Sequence, residues 1–165
     1  MKNPSVTQMP DAHFLYEARY NGAELVVVDP QYSATAVHAD QWLPIGVGTD
    51  AALGLAVARH LFEAGAIDLP FVREQTDLPL LVRLDTGEFL RESDLVADGN
   101  RKLMYFWDAR TQRPVLAPGT EDHPTPALSL GELDPALEGN FGVRVKEGQE
   151  VRVAPVMALL REQLD

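Results

Sequence analysis

Two acidic residues in the first third of the chain stand where nucleotide chemistry needs a carboxylate. Asp29 follows the apolar run Leu25-Val26-Val27-Val28 and precedes Pro30. A carboxylate just past a strand can accept hydrogen bonds from ribose hydroxyls. Asp50 ends the turn Gly46-Val47-Gly48-Thr49-Asp50, and its two oxygens match the parallel donors of guanine, N1–H and the 2-amino group. Each has a plainer alternative. Asp-Pro after a strand also simply ends it. Asp50 beside a Thr49 cap also complements a helix dipole, worth about 0.3–1 kcal/mol. Gly48 permits close backbone approach, although turn geometry alone can require a glycine. Gln31, Tyr32 and Ser33 continue the first turn as residues able to line a nucleotide, with Tyr32 equally suited to a rim.

The elements that must position these residues follow from periodicity. Residues 10–23 read as a helix, with Ala12, Leu15, Tyr16 and Tyr20 on one face, Asp11 in the first turn and Asn21-Gly22 as a stop. Residues 25–28 read as a buried strand, residues 33–39 as a short helical turn, and residues 41–45 as a second strand. Thr49 is a candidate N-cap for a helix to residue 64, with Leu53, Val57, His60, Leu61 and Ala64 inward and Gly65 closing it. Residues 69–75 form a further short helix. Continuous apolar strands feeding helices indicate a parallel sheet, and such sheets bind ligands beyond the carboxyl ends of their strands. Both carboxylates fall at such ends.

After Thr76 the pattern changes. Residues 79–84 and 88–91 flank Asp85-Thr86-Gly87, residues 104–107 and 114–116 flank a second turn, and residues 141–145 and 150–154 flank Gly148, which are three hairpin signals. Residues 119–137 read as a Pro-rich surface loop. Pro155 opens a terminal helix with Val156, Leu159, Leu160 and Leu164 inward. The expected fold class is α/β: a Rossmann-like parallel sheet with helices, plus antiparallel hairpins in the second half. Residues 1–78 are the expected nucleotide-binding portion, and residues 79–165 a hairpin extension and terminal helix of the same domain.

Composition excludes several classes. At 165 residues the chain is long enough for one domain with a real core. A formal net charge of −11 argues against a nucleic acid partner. No stretch approaches the roughly 18 apolar residues of a membrane helix, so direct membrane insertion is not expected. No charged region followed by an apolar run marks a signal peptide. With no cysteine there are no disulfides and no thiolate ligands for iron–sulfur clusters, and the compartment, cytoplasmic or periplasmic, is left open. His13, His38, His60 and His123 lack metal-ligand spacing, and Trp42 and Trp107 suit core or hairpin-face positions. No Ser–His–Asp set or phosphate-binding P-loop is present, and no catalytic or metal-binding residue is assigned.

An ordered series of segments carries a specific resemblance: NPSVTQMPDAHFLYEARYNGA, the DP…AD…GTDAAL set, FVREQTDLPLLV and DTGEFLRESDL, with weaker similarity in WDARTQRPVLAPGT and VRVAPVMALL. It resembles the molybdopterin oxidoreductases of the dimethyl sulfoxide reductase family. Within them it is most similar to the catalytic subunits of nitrate, selenate and (per)chlorate reductases and of ethylbenzene and dimethyl sulfide dehydrogenases. Those subunits are several times longer, so the match is to a portion. The resemblance implies a wall for one guanosine half of bis(molybdopterin guanine dinucleotide), with Asp29, Pro30, Gln31, Tyr32, Ser33, Gly48, Thr49 and Asp50 at the nucleoside. Asn3, Pro4 and Thr7 match the segment lying against the cofactor phosphates, although a loop leading into a helix is an equal reading of those residues. In the family a strand comes immediately before the Asn-Pro segment; only Met1-Lys2 precede it here. The molybdenum ligand and the iron–sulfur cysteines also lie upstream in the family. The chain alone is therefore expected to lack turnover, with the remainder of the catalytic subunit and an iron–sulfur electron-transfer subunit as implied partners. The alternatives are a stand-alone nucleotide-binding module and an interaction domain without redox activity.

Overall fold

The computed structural model describes residues 3–124 and 130–164. The chain divides into two compact units, Met1–Ala56 and Val57–Asp165.

The first unit begins with α1 (Pro4–Thr7) and α2 (Met9–Tyr20). Pro4 opens α1, where a missing N–H costs nothing, and Asn3 O receives the Val6 and Thr7 amides at 3.0 and 2.8 Å. α2 occupies most of the helix expected over residues 10–23. It stops at Tyr20 because Gly22, at φ +94°, turns the chain, and Ala23 N returns to Ala18 O at 3.0 Å. β1 (Val26–Val28) and β2 (Gln41–Leu43) pair in parallel, with Val27 opposite Trp42 and Val28 opposite Leu43. A 3₁₀ turn, Ala36–His38, lies in the crossover, where a short helical turn was expected.

An ion pair pins the ends of these elements. Arg19 Nε and Nη2 fork onto the Asp40 carboxylate at 2.7–3.0 Å, and Asp40 Oδ2 also accepts Leu25 N at 2.9 Å. Those bonds hold the Asp40 carboxyl down at about 2.

Two expectations fail in this unit and the helix that leaves it. Residues 25–28 do not form a buried strand: Val26 and Val28 are 45% and 43% exposed, and Leu43, on the same face by register, is 43% exposed. A parallel sheet is buried when helices cover both faces, and here that face is open among the described residues. α3 (Asp50–Glu63) has the expected extent, closing at Gly65 with φ +62°. Its expected inward set is not inward, since no residue of α3 is buried and Val57 and Leu61 are exposed.

The second unit adds α4 (Leu69–Gln75), over the expected residues and capped by Asp68, whose carboxylate accepts Phe71 N at 3.1 Å. It continues through β3 (Leu81–Arg83), α5 (Glu92–Leu95), β4 (Tyr105–Asp108), β5 (Arg113–Leu116), β6 (Phe141–Arg144), β7 (Glu150–Pro155) and α6 (Val156–Leu164). The hairpins β4–β5 and β6–β7 form as expected. The first expected hairpin also forms, with a Val82–Phe89 bridge and with Arg83 N donating to Glu88 O and Leu90 N to Leu81 O at 2.8 Å, while the other edge of β3 pairs with β7 in a β3-β7-β6 sheet. The core gathers Leu81, Leu90, Tyr105, Trp107, Val143 and Val153, with the Trp107 and Phe141 rings stacked 4.2 Å apart. A smaller cluster joins Val72, Leu137 and Met157.

Two further corrections concern this unit. The expected surface loop over residues 119–137 includes residues 125–129, which lie outside the described set, but its end is core. Pro135 and Leu137 are buried, and Ala136 N donates to Trp107 O at 2.8 Å, so the segment extends the edge of β4. Pro155 ends β7 and α6 follows directly, burying Met157 and Leu164, whereas Val156, Leu159 and Leu160 are only half-buried. Val156 N and Met157 N donate to Leu80 O and Leu78 O, so the exit from the strand sets the rotation of the helix.

Candidate functional site

Every expected site residue lies in the first unit. β1 and β2 run parallel, so their carboxyl ends share one edge of the pair. Asp29 follows β1 at that edge, and the Gly46–Asp50 turn follows β2. Asp29 N donates to Leu43 O at 3.3 Å, carrying the ladder one step past the strands.

Asp29 is 4% exposed. Its Oδ1 accepts Gln31 N at 3.0 Å, closing an Asx turn, and its carbonyl accepts the Trp42 indole N–H at 3.0 Å. The turn reading holds, and the carboxylate keeps further acceptor capacity, since it can take about four bonds. Pro30 is half-buried, and Gln31 and Tyr32 are exposed. The Tyr32 ring meets Trp42 edge-on at 5.1 Å, which holds an aromatic surface beside Asp29. Ser33 is structural in its side chain: Oγ accepts Ala36 N at 3.4 Å.

The second turn is open. Gly48 has φ +83° and nothing within 4 Å of a Cβ built there, so turn geometry is what demands a glycine within this chain. Thr49 Oγ1 donates to Gly46 O at 2.7 Å and so ties the turn. The expected side-chain cap is thereby corrected: Thr49 caps α3 through its backbone carbonyl, which accepts Leu53 N at 3.1 Å. Asp50 is exposed at the first turn of α3, and its carboxylate has no partner among the described residues.

Residues 3–7 and the loop after Asp29 are brought together by a residue that sequence reasoning missed. Thr35 is 5% exposed. Its Oγ1 lies 2.5 Å from Asn3 Oδ1 and 3.0 Å from Ser5 Oγ, and it accepts Ser5 N at 3.2 Å. Ser5 Oγ in turn bonds the Tyr16 hydroxyl on α2, whose ring lies 4.6 Å from that of His38. Pro4 starts α1, and the Thr7 hydroxyl turns back to Asn3 O at 2.9 Å, so neither offers a free side-chain donor. No local signal marks Thr35, since a threonine between two alanines fits any loop.

These groups are suited to a nucleotide. An exposed carboxylate matches the guanine edge, a buried one suits ribose hydroxyls, and Asn3 keeps amide donors for an anion. No group of His, Cys, Asp or Glu able to hold a metal occurs among the described residues. A separate cavity of about 550 Å³ in the second unit, bordered by Arg73, Thr76, Phe106 and Pro118, contains none of the expected site residues.

The molybdopterin oxidoreductase family model matches residues 2–132. The chain belongs to the molybdopterin oxidoreductase family. It is 44% identical over 163 residues to the chlorate reductase subunit alpha of Ideonella dechloratans, covering 99% of this chain and 17% of that protein. To the perchlorate reductase subunit alpha of Dechloromonas aromatica it is 38% identical over 181 residues, covering 98% and 20%. To the dimethylsulfide dehydrogenase subunit alpha of Rhodovulum sulfidophilum it is 45% identical over 141 residues, covering 86% and 16%. The chain thus spans between 16% and 20% of the length of these relatives. Family membership accounts for the order of motifs from Asn3 to Asp50. It agrees with a mixed α/β chain in which no described helix is long and apolar enough to cross a membrane.

Proposed function

We propose that this chain is a portion of a molybdopterin oxidoreductase catalytic subunit and forms the wall for one guanosine half of bis(molybdopterin guanine dinucleotide). The observation that carries the reading is the shared carboxyl edge of β1 and β2, from which both Asp29 and the exposed Asp50 emerge. Asp50 would accept guanine N1–H and the 2-amino group, Asp29 the ribose hydroxyls, and Asn3 would donate to phosphate. Tyr32 would border the nucleoside, while Gln31, Ser33, Thr49 and Gly48 hold the turns and Pro4 and Thr7 hold residues 3–7. The bound cofactor supplies two-electron chemistry at molybdenum. The residues named here bind and orient its nucleotide, and none carries a reaction step. The whole enzyme would reduce an oxyanion such as nitrate, selenate or chlorate, or perform a related oxidation, with the remaining catalytic subunit and an iron–sulfur subunit as partners.

The test is calorimetric titration of the 165-residue protein with GDP and ADP. Adenine lacks both donors that a carboxylate at position 50 would pair, so GDP is expected to bind more tightly, and Asp50→Asn to erase the preference. Equal affinity for the two nucleotides would overturn the assignment.

A further inference from the structure

One dipeptide in the first unit carries reactive chemistry of its own. An asparagine side-chain amide can be attacked by the backbone nitrogen of the next residue, and a following glycine, lacking a Cβ, obstructs that attack least. The chain has four asparagines, and three are poorly placed for it. Asn3 precedes Pro4, whose nitrogen carries no hydrogen. Asn100 is held at both ends of its amide, Nδ2 donating to Asp122 at 3.1 Å and Oδ1 accepting Lys102 N at 2.9 Å. Asn140 precedes the bulky Phe141. Asn21 precedes Gly22, both are exposed, and the Asn21 side chain has no hydrogen-bond partner among the described residues. A Cβ built on Gly22 would meet nothing within 4 Å.

The fold restrains this pair. At an Asn21 ψ of 11° the Gly22 nitrogen lies nearly eclipsed with the Asn21 nitrogen, not beside Cβ, where ring closure needs it. Gly22 N also donates to Arg19 O at 2.9 Å, and Ala23 N to Ala18 O at 3.0 Å. Asp40 closes both ends of the segment, taking the Arg19 fork on one side and Leu25 N on the other. The last turn of α2 must therefore open before the amide can be attacked, and an exposed ion pair opposes that local opening.

We infer that Asn21–Gly22 is a self-modification site, at which the amide deamidates to aspartate or isoaspartate, and that the Asp40 latch sets the rate. Gly22 N, losing its proton to water, bonds to Asn21 Cγ, and the Cγ–Nδ2 bond breaks to release ammonia. Water then adds across one of the two imide C–N bonds. Opening at Cγ restores the chain with an aspartate. Opening at the main-chain carbonyl carbon leaves isoaspartate, with one extra carbon in the backbone. Either product places a carboxylate at the carbonyl-rich end of α2, where negative charge is disfavoured. Isoaspartate also displaces the Ala23 N to Ala18 O bond that ends the helix. The inference does not depend on the nucleotide site.

The experiment incubates the 165-residue protein at mildly alkaline pH, native and in urea, and follows each asparagine by peptide mapping and by enzymatic methylation of isoaspartate. In the native protein residue 21 should convert first, and more slowly than it does in urea. Arg19→Gln should raise the native rate about two- to fivefold, the scale of one exposed ion pair, and leave the urea rate unchanged. Asp40→Ala, remote in sequence from the reacting pair, should raise it at least as much, because it also frees Leu25 N. A native protein that keeps Asn21 intact while the urea-treated chain converts it would overturn the site. Earlier conversion at Asn100 or Asn140 in the native protein would overturn it too. A native rate unmoved by both variants, or one raised equally in urea, would overturn the role of the latch.

Discussion

The two units are built on opposite principles. In Val57–Asp165 large side chains are fully enclosed: Leu81, Leu90 and Val153 have no exposed surface, and a three-stranded antiparallel sheet spans the core. In Met1–Ala56 the buried apolar residues among those described are Ala12 and Ala36, while Val6, Met9, Phe14, Val26, Val28 and Leu43 stand exposed. The first unit is held instead by polar ties, namely Arg19–Asp40–Leu25 N, Trp42 to Asp29 O, and the hydroxyl chain through Thr35. A scaffold whose apolar faces are open gains little from burial at about 25 cal/mol per Å². It can still present a site, because hydrogen-bond geometry fixes positions that packing leaves loose. The first unit carries the turns of the proposed nucleotide site, and the second has an enclosed apolar core.

The sharpest way to break this contrast is truncation in each unit. Leu81→Ala should cost about 2–5 kcal/mol, because a fully enclosed leucine leaves a cavity. Val28→Ala, at a residue 43% exposed, should cost well under half of that. Urea unfolding of both variants measures the two. Comparable losses would mean that the first unit has a core as consequential as the second.

Next in size is the carboxylate that organises the β4–β5 turn. Asp108 is buried and accepts from the Thr111 hydroxyl at 2.6 Å, Asp134 N at 3.0 Å, Thr111 N at 3.2 Å and Arg110 N at 3.4 Å. The Thr111 hydroxyl first, then these amides, hold its carboxyl at about 2, below the usual 3.8. Because the folded value is the lower one, the stabilisation is complete above the unfolded value near 4 and disappears as pH falls through about 2. Asp108→Ala should cost about 1–3 kcal/mol by stranding buried donors and should flatten the acid limb of stability between pH 4 and 2. An unchanged acid limb in the variant would place that titration elsewhere.

Smaller effects probe the first unit. Asp50→Ala removes an exposed side chain, so the melting temperature should stay within a degree or two of the parent, the scale of a small surface change. GDP affinity should still fall roughly tenfold to a hundredfold. A large melting shift with intact binding would reverse the assignment. Smallest of all, Arg19→Gln should leave global unfolding nearly unaltered, since both partners of the exposed ion pair are solvated. It should, however, speed hydrogen exchange at Leu25 N, which is tied through Asp40. No change in that exchange would remove the latch from the account of how β1 is held.

Local signals carried much of the fold into view. α4 lies where residues 69–75 were read as a helix, because Asp68 caps it and Pro70 suits its first turn. The β6–β7 hairpin follows from alternation around Gly148, whose φ of +85° demands that residue. At the site, Asp29 and Asp50 were legible because each follows a strand, and strand ends have recognisable turn chemistry. Thr35 was not legible. Its partners Asn3 and Ser5 stand 32 and 30 residues away in sequence, and a hydroxyl acquires meaning only when a fold closes around it.

What the residues determined by themselves was therefore local and compositional: helix limits, tight turns, the two carboxylates at strand ends, the absence of thiol ligands, and a motif order shared with one family. Tertiary structure alone decided the rest. It gave β3 the distant β7 as a second partner, opposite the neighbouring residues 88–90, and so brought Leu81 and Val153 into one core. It turned α6 on Met157 because β7 delivers the chain at a fixed rotation. It left the Val26, Val28 and Leu43 face open although the apolar run had every mark of a buried strand. Hydrophobicity states what a residue would gain from burial, and only the arrangement of its neighbours determines whether that gain is realised.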